Sequence, residues 1–271
     1  MRERRDTDVL RRNVASARRV ISTDGPRQLL TEGLILIESR LGGVPVVDEY
    51  CYSRSLAELR DRMDAEEGLE DVIETVERYR GYGRYRSLEP MQIDEELMEF
   101  VELVDEREPE RIVEIGTAKG GLFYIFCRHL DSAQSIVSLD LPGGPFGGVY
   151  SEGRVPLFRE FSSRTDLHFV RGDSHDEDTA RRLEDRLSGA QVDLLFLDGD
   201  HTYDGVRQDF ERYKDVVAPD GLIALHDIVP NPSHSDCEVD RFWNELQDEY
   251  ETRDIVADPE QGWGGIGLVF L

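Results

Sequence analysis

The stretch Val113–Gly121, VEIGTAKGG, decides the fold. It closes the apolar run RIVEIG (111–116), which reads as a buried strand. Gly116 then permits a tight turn and lets backbone approach a ligand closely. Gly120 and Gly121 allow close packing where a helix begins, and the N–H groups of that first turn can meet an anionic or polar group. Alone, such a turn is weak evidence, because many α/β turns use glycine for geometry only. The next strand, however, ends at Asp140, 24 residues beyond Gly116. An acidic side chain there can accept hydrogen bonds from two ribose hydroxyls. With Glu114 before the turn and Asp140 after it, the set points to a nucleoside-containing cofactor.

Outward from this unit, the pattern alternates strand and helix from about Met91 to the end. Strands are expected at 111–116, 135–141, 167–173, 192–198, 221–227, 250–256 and 265–271. Helices are expected at 92–105, 119–130, 177–187, 203–216 and 238–249. This predicts an α/β fold, a seven-stranded, mostly parallel sheet with helices on both faces. Residues 1–90 read as a charged, helical N-terminal extension, with Leu56, Leu59 and Met63 spaced for one helical face. The extension is open to two readings, a lid over the substrate or an oligomer interface. Its Gly/Tyr/Arg segment RYRGYGRYRSLEP (78–90) reads as a loop, and Tyr79, Tyr82, Tyr85 and Gln92 either face a substrate or simply pack. PGGPFGGVYSEG (142–153) is a second glycine-rich segment beside the cofactor rim.

Three strand ends carry chemistry. VRGDSHD (170–176) offers Asp173 or Ser174 to an adenine edge, although Ser174 and Asp176 are equally ordinary helix N-cap residues. VDLLFLDGDHTYDGV (192–206) places Asp198, Asp200 and His201 at the tip of an apolar run. Charges there are costly to desolvate unless paired, ligated or used. GLIALHD (221–227) ends in His226 and Asp227. Neighbouring strands would bring the two clusters together at the carboxyl rim, where open α/β sheets bind ligands. Together they supply donors for a divalent cation and a general base, His201, whose ordinary pKa lies near neutrality. The bland alternative has Asp200 capping the next helix and His226 as a satisfied core histidine.

Composition narrows the partners. The 271 residues carry 58 Asp+Glu against 32 Lys+Arg, a formal charge of −26, and only Lys119 and Lys214 are lysines. Such a field disfavours nucleic acid and anionic membrane. The acidic, lysine-poor composition resembles halophilic surfaces, where salt screens self-repulsion. Three irregularly spaced cysteines form neither a disulfide framework nor a C-x-x-C pair. With no apolar signal segment and no membrane-length apolar run, a cytoplasmic protein is expected.

On VEIGTAKGG, SLDLPGG, RGDSHDEDT, LLFLDGDHTYDGVRQDFERYKDVVAPDGLIALHDI and VDRFWNEL, the chain resembles class I S-adenosylmethionine-dependent methyltransferases. The branch it resembles contains macrolide-sugar O-methyltransferases and cephalosporin-hydroxylase-like proteins, and the resemblance covers roughly Gly81–Leu271. It implies a Rossmann-like methyltransferase domain at 91–271 that methylates a hydroxyl of a sugar or small natural product. Glu114, Gly116, Thr117 and Gly120 would surround the methionine part of the cofactor. Asp140 would hold the ribose, Asp173 and Ser174 would lie near the adenine, and Asp198 would border the donor. The resemblance further implies a divalent cation on Asp198 and Asp227, with His201 taking the acceptor's proton. The strand-end cluster adds His226 as a third candidate ligand, Mg or Mn is the expected ion, and Asp200 is expected to cap the helix or support the site. Two features depart from the family pattern. Ala118 stands where many relatives have a second glycine, and His226 stands where they often have a carboxylate, which suits Mn, Fe, Ni or Zn better than Mg. Two alternatives stay open: a non-catalytic cofactor-binding protein of the same fold, and a metal-dependent hydrolase or oxygenase using the Asp/His cluster.

Overall fold

All seven expected strands form and join one sheet. The computed structural model describes residues 45–142 and 152–271. The earlier part of the extension and most of the 142–153 segment lie outside the described residues. In chain order the elements are α1 (Pro45–Met63), α2 (Leu69–Arg78), α3 (Asp94–Asp105), β1 (Arg111–Ile115), α4 (Gly121–His129) and β2 (Ser135–Asp140). Then follow α5 (Val155–Phe158), β3 (Asp166–Arg171), α6 (Glu177–Leu187), β4 (Val192–Leu197) and α7 (Tyr203–Tyr213). The chain ends with β5 (Val217–His226), α8 (Val239–Glu249), β6 (Glu251–Ile255) and β7 (Ile266–Phe270). Strand order is β3-β2-β1-β4-β5-β7-β6. Pairing is parallel from β3 to β5, and β7 runs antiparallel to both neighbours. The order reverses between β1 and β4, so their carboxyl tips flank the crevice where such sheets bind ligands.

The central strands are buried on both faces, which is why they read as near-continuous apolar runs. One face packs Val113, Ile115, Leu195 and Leu197 against Leu183 of α6, Phe210 of α7 and Phe242 of α8. On the other, Phe100 of α3 meets Phe126 of α4 at 6.2 Å and Phe196 of β4 at 5.4 Å. Glu114 is the register partner of Phe196 and therefore points to that second face. Asp193 interrupts the apolar run of β4, and its Oδ2 accepts hydrogen bonds from the backbone of Glu110 and Arg111, each 2.8 Å. The ladder of β4 to β5 shifts register at this same point, between Val192 and Leu194.

Two expectations are corrected. The buried face of α1 runs through Cys51, Ser55 and Leu59, displacing the Leu56–Leu59–Met63 stripe. The cause is polar: Ser55 Oγ accepts the Tyr82 N–H at 2.8 Å, while Tyr52 meets Tyr85 edge-on at 5.6 Å. β5 begins at Val217, four residues before the expected start at 221. The short helix α5, opened by Pro156 in its first turn, carried no periodic signal. Of the described residues, those through Asp61 with Arg80–Arg86 form one compact unit, and Arg62–Tyr79 with Ser87–Leu271 form another. Among the described residues no helix is long and apolar enough to cross a membrane.

Candidate active site

The β1–α4 turn is built by glycine packing against protein. Gly116 has φ +94°, and a Cβ there would lie 1.9 Å from the Asp198 carbonyl oxygen. Gly120, at φ +88°, lies against the Phe158 ring, and Gly121 lies against the Leu88 carbonyl. Ala118 also adopts a left-handed conformation, φ 46°, where glycine is the usual occupant. Its N–H donates to Asp140 Oδ2 at 2.7 Å, so the carboxylate expected on a ribose also braces the turn. Thr117 is buried, with its hydroxyl 2.7 Å from Ser138 Oγ.

Two carboxyls on this side are pushed up. Burial raises Glu114 to about 8, against an opposing hydrogen bond from Thr117. Its Oε2 is buried with no hydrogen-bond partner among the described residues. Burial likewise raises Asp140 to about 6, opposed by the Ala118 N–H and by Arg171, whose Nη1 is 3.9 Å away. Beside the β3 tip, Asp173 is exposed and its Oδ1 accepts the His175 N–H at 2.9 Å. The Ser174 carbonyl accepts from Tyr213 Oη at 2.6 Å. Asp176 is the N-cap of α6 by position but makes no capping bond with its side chain.

Across the switch point the charges are paired. Asp198 Oδ1 lies 3.1 Å from His201 Nε2 and 3.2 Å from His226 Nδ1, and its Oδ2 accepts from Gln92 Nε2 at 2.8 Å. Asp227 Oδ2 lies 3.6 Å from His201 Nδ1 and 3.6 Å from His226 Nδ1. Burial alone would raise Asp198, but the charge of His226 and hydrogen bonds from both imidazoles hold it well below the usual carboxylate range. For His201, burial works downward, yet Asp198 and then Asp227 push it up to about 9. His226 is raised by the same carboxylates against its burial, and its Nε2 is buried without a partner among the described residues. The donor atoms of Asp198, His226 and Asp227 lie within 4.8 Å of one another, and so do those of His201, Asp227 and Cys237.

Asp200 bonds to the start of α7 and adds its charge to those that raise His201. Its Oδ1 accepts from both the N–H (2.9 Å) and hydroxyl (2.8 Å) of Thr202. Thr202 is the cap of α7, accepting the Gly205 N–H at 3.1 Å, so the reading in which Asp200 caps this helix is corrected by two residues. Tyr79 and Tyr85 are fully buried and pack, whereas Gln92 reaches Asp198. Three contributors carried no signal in the sequence reading. Glu96 on α3 accepts from Gln261 and from the backbone of Ala257 and Gly265, pinning the β6–β7 connection. Gly264 N–H then donates to Asp227 Oδ1 at 3.2 Å. The buried Arg154 donates to the carbonyls of Ser87 (2.6 Å) and Lys119 (2.9 Å), joining the turn to the segment before Pro90.

Two cavities lie near these strand tips. The smaller, about 20 Å³, lies between Glu114, Gly116, Asp198 and the Pro90–Gln92 segment. The larger, about 520 Å³, is an open cleft between the β5–α8 connection and Pro259–Gly262, with Cys237 and Arg241 on its wall.

Residues 113–228 match the family model described as a methyltransferase domain. That match runs from β1 to the end of β5, and the strand order is that of the class I, Rossmann-like fold. Cofactor-bound Rv0187 from MTB is similar in fold, with a TM-score of 0.50 and 18% identity over 86% of this chain and 95% of that one. An O-methyltransferase from Bacillus cereus, in complex with SAH, has a TM-score of 0.51 at 17% identity, covering 83% and 97%. The uncharacterized protein y4gI of Sinorhizobium fredii (strain NBRC 101917 / NGR234) is 31% identical over 132 residues, 46% of this chain. The match spans 14% of that protein's length.

Proposed function

We propose that the chain is an S-adenosylmethionine-dependent O-methyltransferase acting on a hydroxyl of a sugar or small natural product, with a divalent cation assisting. The observation that carries this reading is the meeting of Asp198, His201, His226 and Asp227 beside the Gly116 turn. A methyl donor on the β1 side and an acceptor on the β5 side would then face each other across the switch point. We also place the domain boundary near residue 90, the acceptor in the 520 Å³ cleft, and the protein in the cytoplasm of a salt-adapted cell.

The residues fit both absent groups. Glu114 Oε2 is a buried acceptor without a partner among the described residues, at the place where the donor's ammonium would lie. A cation there would favour the ionised carboxylate that burial disfavours. Asp140 would keep one oxygen for the ribose while Oδ2 holds the turn, and Asp173 and Ser174 would border the adenine. Asp198, His226 and Asp227 offer one nitrogen and two carboxylates to a divalent ion. Such an ion would orient the acceptor hydroxyl and offset the two carboxylate charges that raise His201.

In transfer, His201 accepts the hydroxyl proton as the oxygen bonds to the methyl carbon and the carbon–sulfur bond of the donor breaks. To do so the imidazole must first shed the proton that Asp198 and Asp227 favour. The structure's larger contribution is alignment of donor and acceptor. Titration calorimetry of the full chain with S-adenosylmethionine at high salt tests the reading. Saturable binding is expected; no heat of binding would remove the donor and, with it, the proposed reaction.

A further inference from the structure

We propose that His201, Asp227 and Cys237 form a separate soft-metal site, in which a zinc-class divalent cation takes His201 out of proton transfer. The donor atoms of these three side chains lie within 4.8 Å of one another, and the Asp198–His226–Asp227 group shares only Asp227 with them. The two groups differ in chemistry. The inner one, two carboxylates and one imidazole, has no sulfur donor; the outer one presents sulfur, nitrogen and oxygen, and its thiolate is the soft donor that favours zinc or cobalt. They also differ in access, because His201 and Cys237 are half-buried and Cys237 lines the open cleft.

The outer group is held in place by backbone. Cys237 N–H donates to the His234 carbonyl at 3.0 Å, and the next residue, Glu238, donates to the carbonyl of His201 itself at 2.8 Å. The segment carrying the thiol is therefore stitched to the residue whose ring the thiol approaches. Asp227 sits at φ 63° with Oδ1 tied to Gly264, which leaves Oδ2 facing the two imidazoles. Cys237 forms no disulfide, and Cys51 and Cys127 are buried. Metal ligation takes the thiolate form, so occupation by a cation releases the Cys237 proton to solvent.

The effect on catalysis rests on the methyltransferase reading; occupation of the site does not. Cobalt(II) added to the chelator-treated full chain is expected to give a near-ultraviolet thiolate-to-cobalt charge-transfer band, which zinc abolishes by displacement. Cys237→Ser, with Cys237→Ala as a second variant, should lose the band. Each should bind zinc at least about 10-fold more weakly, the scale on which even outer partners of metal ligands act. In transfer assays zinc should inhibit the native chain, while Cys237→Ser, measured against its own zinc-free rate, should lose the fractional inhibition. A native chain without the band, a band that survives in both variants, or equal zinc inhibition of native and variant chains overturns the site. A normal cobalt band in a chain that transfers no methyl group overturns the methyltransferase reading alone.

Discussion

The two halves of the sheet's carboxyl rim treat their carboxylates in opposite ways. On the β1–β2 side, Glu114 and Asp140 are buried with few partners, and burial lifts both toward the protonated form. On the β4–β5 side, Asp198 is as enclosed but meets two imidazoles, and it stays ionised. A buried carboxylate without a cation is costly, whereas one paired inside the protein already has its counter-charge. The first half therefore gains most from a cationic ligand. The second has its electrostatics assembled beforehand and exposes a base.

The difference can be broken most severely at the base. His201→Ala should lower methyl transfer by about 10²- to 10⁴-fold, the usual worth of a positioned general base, with the circular dichroism spectrum unchanged. Activity within a factor of two of the native chain would remove His201 from the reaction. Next in size is Gly116→Ala, which forces a Cβ onto the Asp198 carbonyl at a positive φ. Destabilisation of roughly 2–5 kcal/mol by denaturant titration is expected from strain and overpacking together.

Much of this contrast was legible in the sequence. The strand tips were, because apolar runs ending in charge mark them, and parallel adjacency of the fourth and fifth runs brings Asp198 beside His226 and Asp227. What was not legible depends on contacts without a local pattern. Gln92 reaches Asp198 across 106 positions, and Glu96 reaches Gly265 across 169. Cys237 approaches through a connection with no periodicity. The Ser55 bond to Tyr82 redirected a helix face that apolar spacing alone would have placed elsewhere.

Smaller effects sharpen the comparison. Glu114 has its folded pKa raised from 4.5 to about 8, so the native chain keeps a bound proton that the unfolded chain gives up. Its contribution is fully present below pH 4.5 and is lost as pH rises through 8. Glu114→Gln should flatten that decline in melting temperature across the window, while binding S-adenosylmethionine about 10-fold more weakly, as expected for loss of one charge-assisted hydrogen bond. An unchanged pH profile would show that Glu114 is not the titrating group. Smallest is Ala118→Gly, which relieves the left-handed strain at φ 46°. A gain of about 0.5–1 kcal/mol is expected, partly offset by the freedom glycine adds to the unfolded chain. A loss of stability would mean that the methyl group packs usefully in the turn.

Asp193, at the opposite end of β4 from the site, acts as a ruler. Parallel strands have no hairpin to set their alignment, and Arg111 and Asp193, which meet here, stand 82 positions apart in the chain. A single carboxylate oxygen reading two consecutive amides admits one alignment at the foot of the strand. Five residues further on, that alignment delivers the Asp198 carbonyl into the space Gly116 leaves for it. A slip of one residue would shift the tip by about 3.3 Å and turn its side chains to the other face. The tolerance of the site is thus set some distance from it, by a residue that touches none of the chemistry.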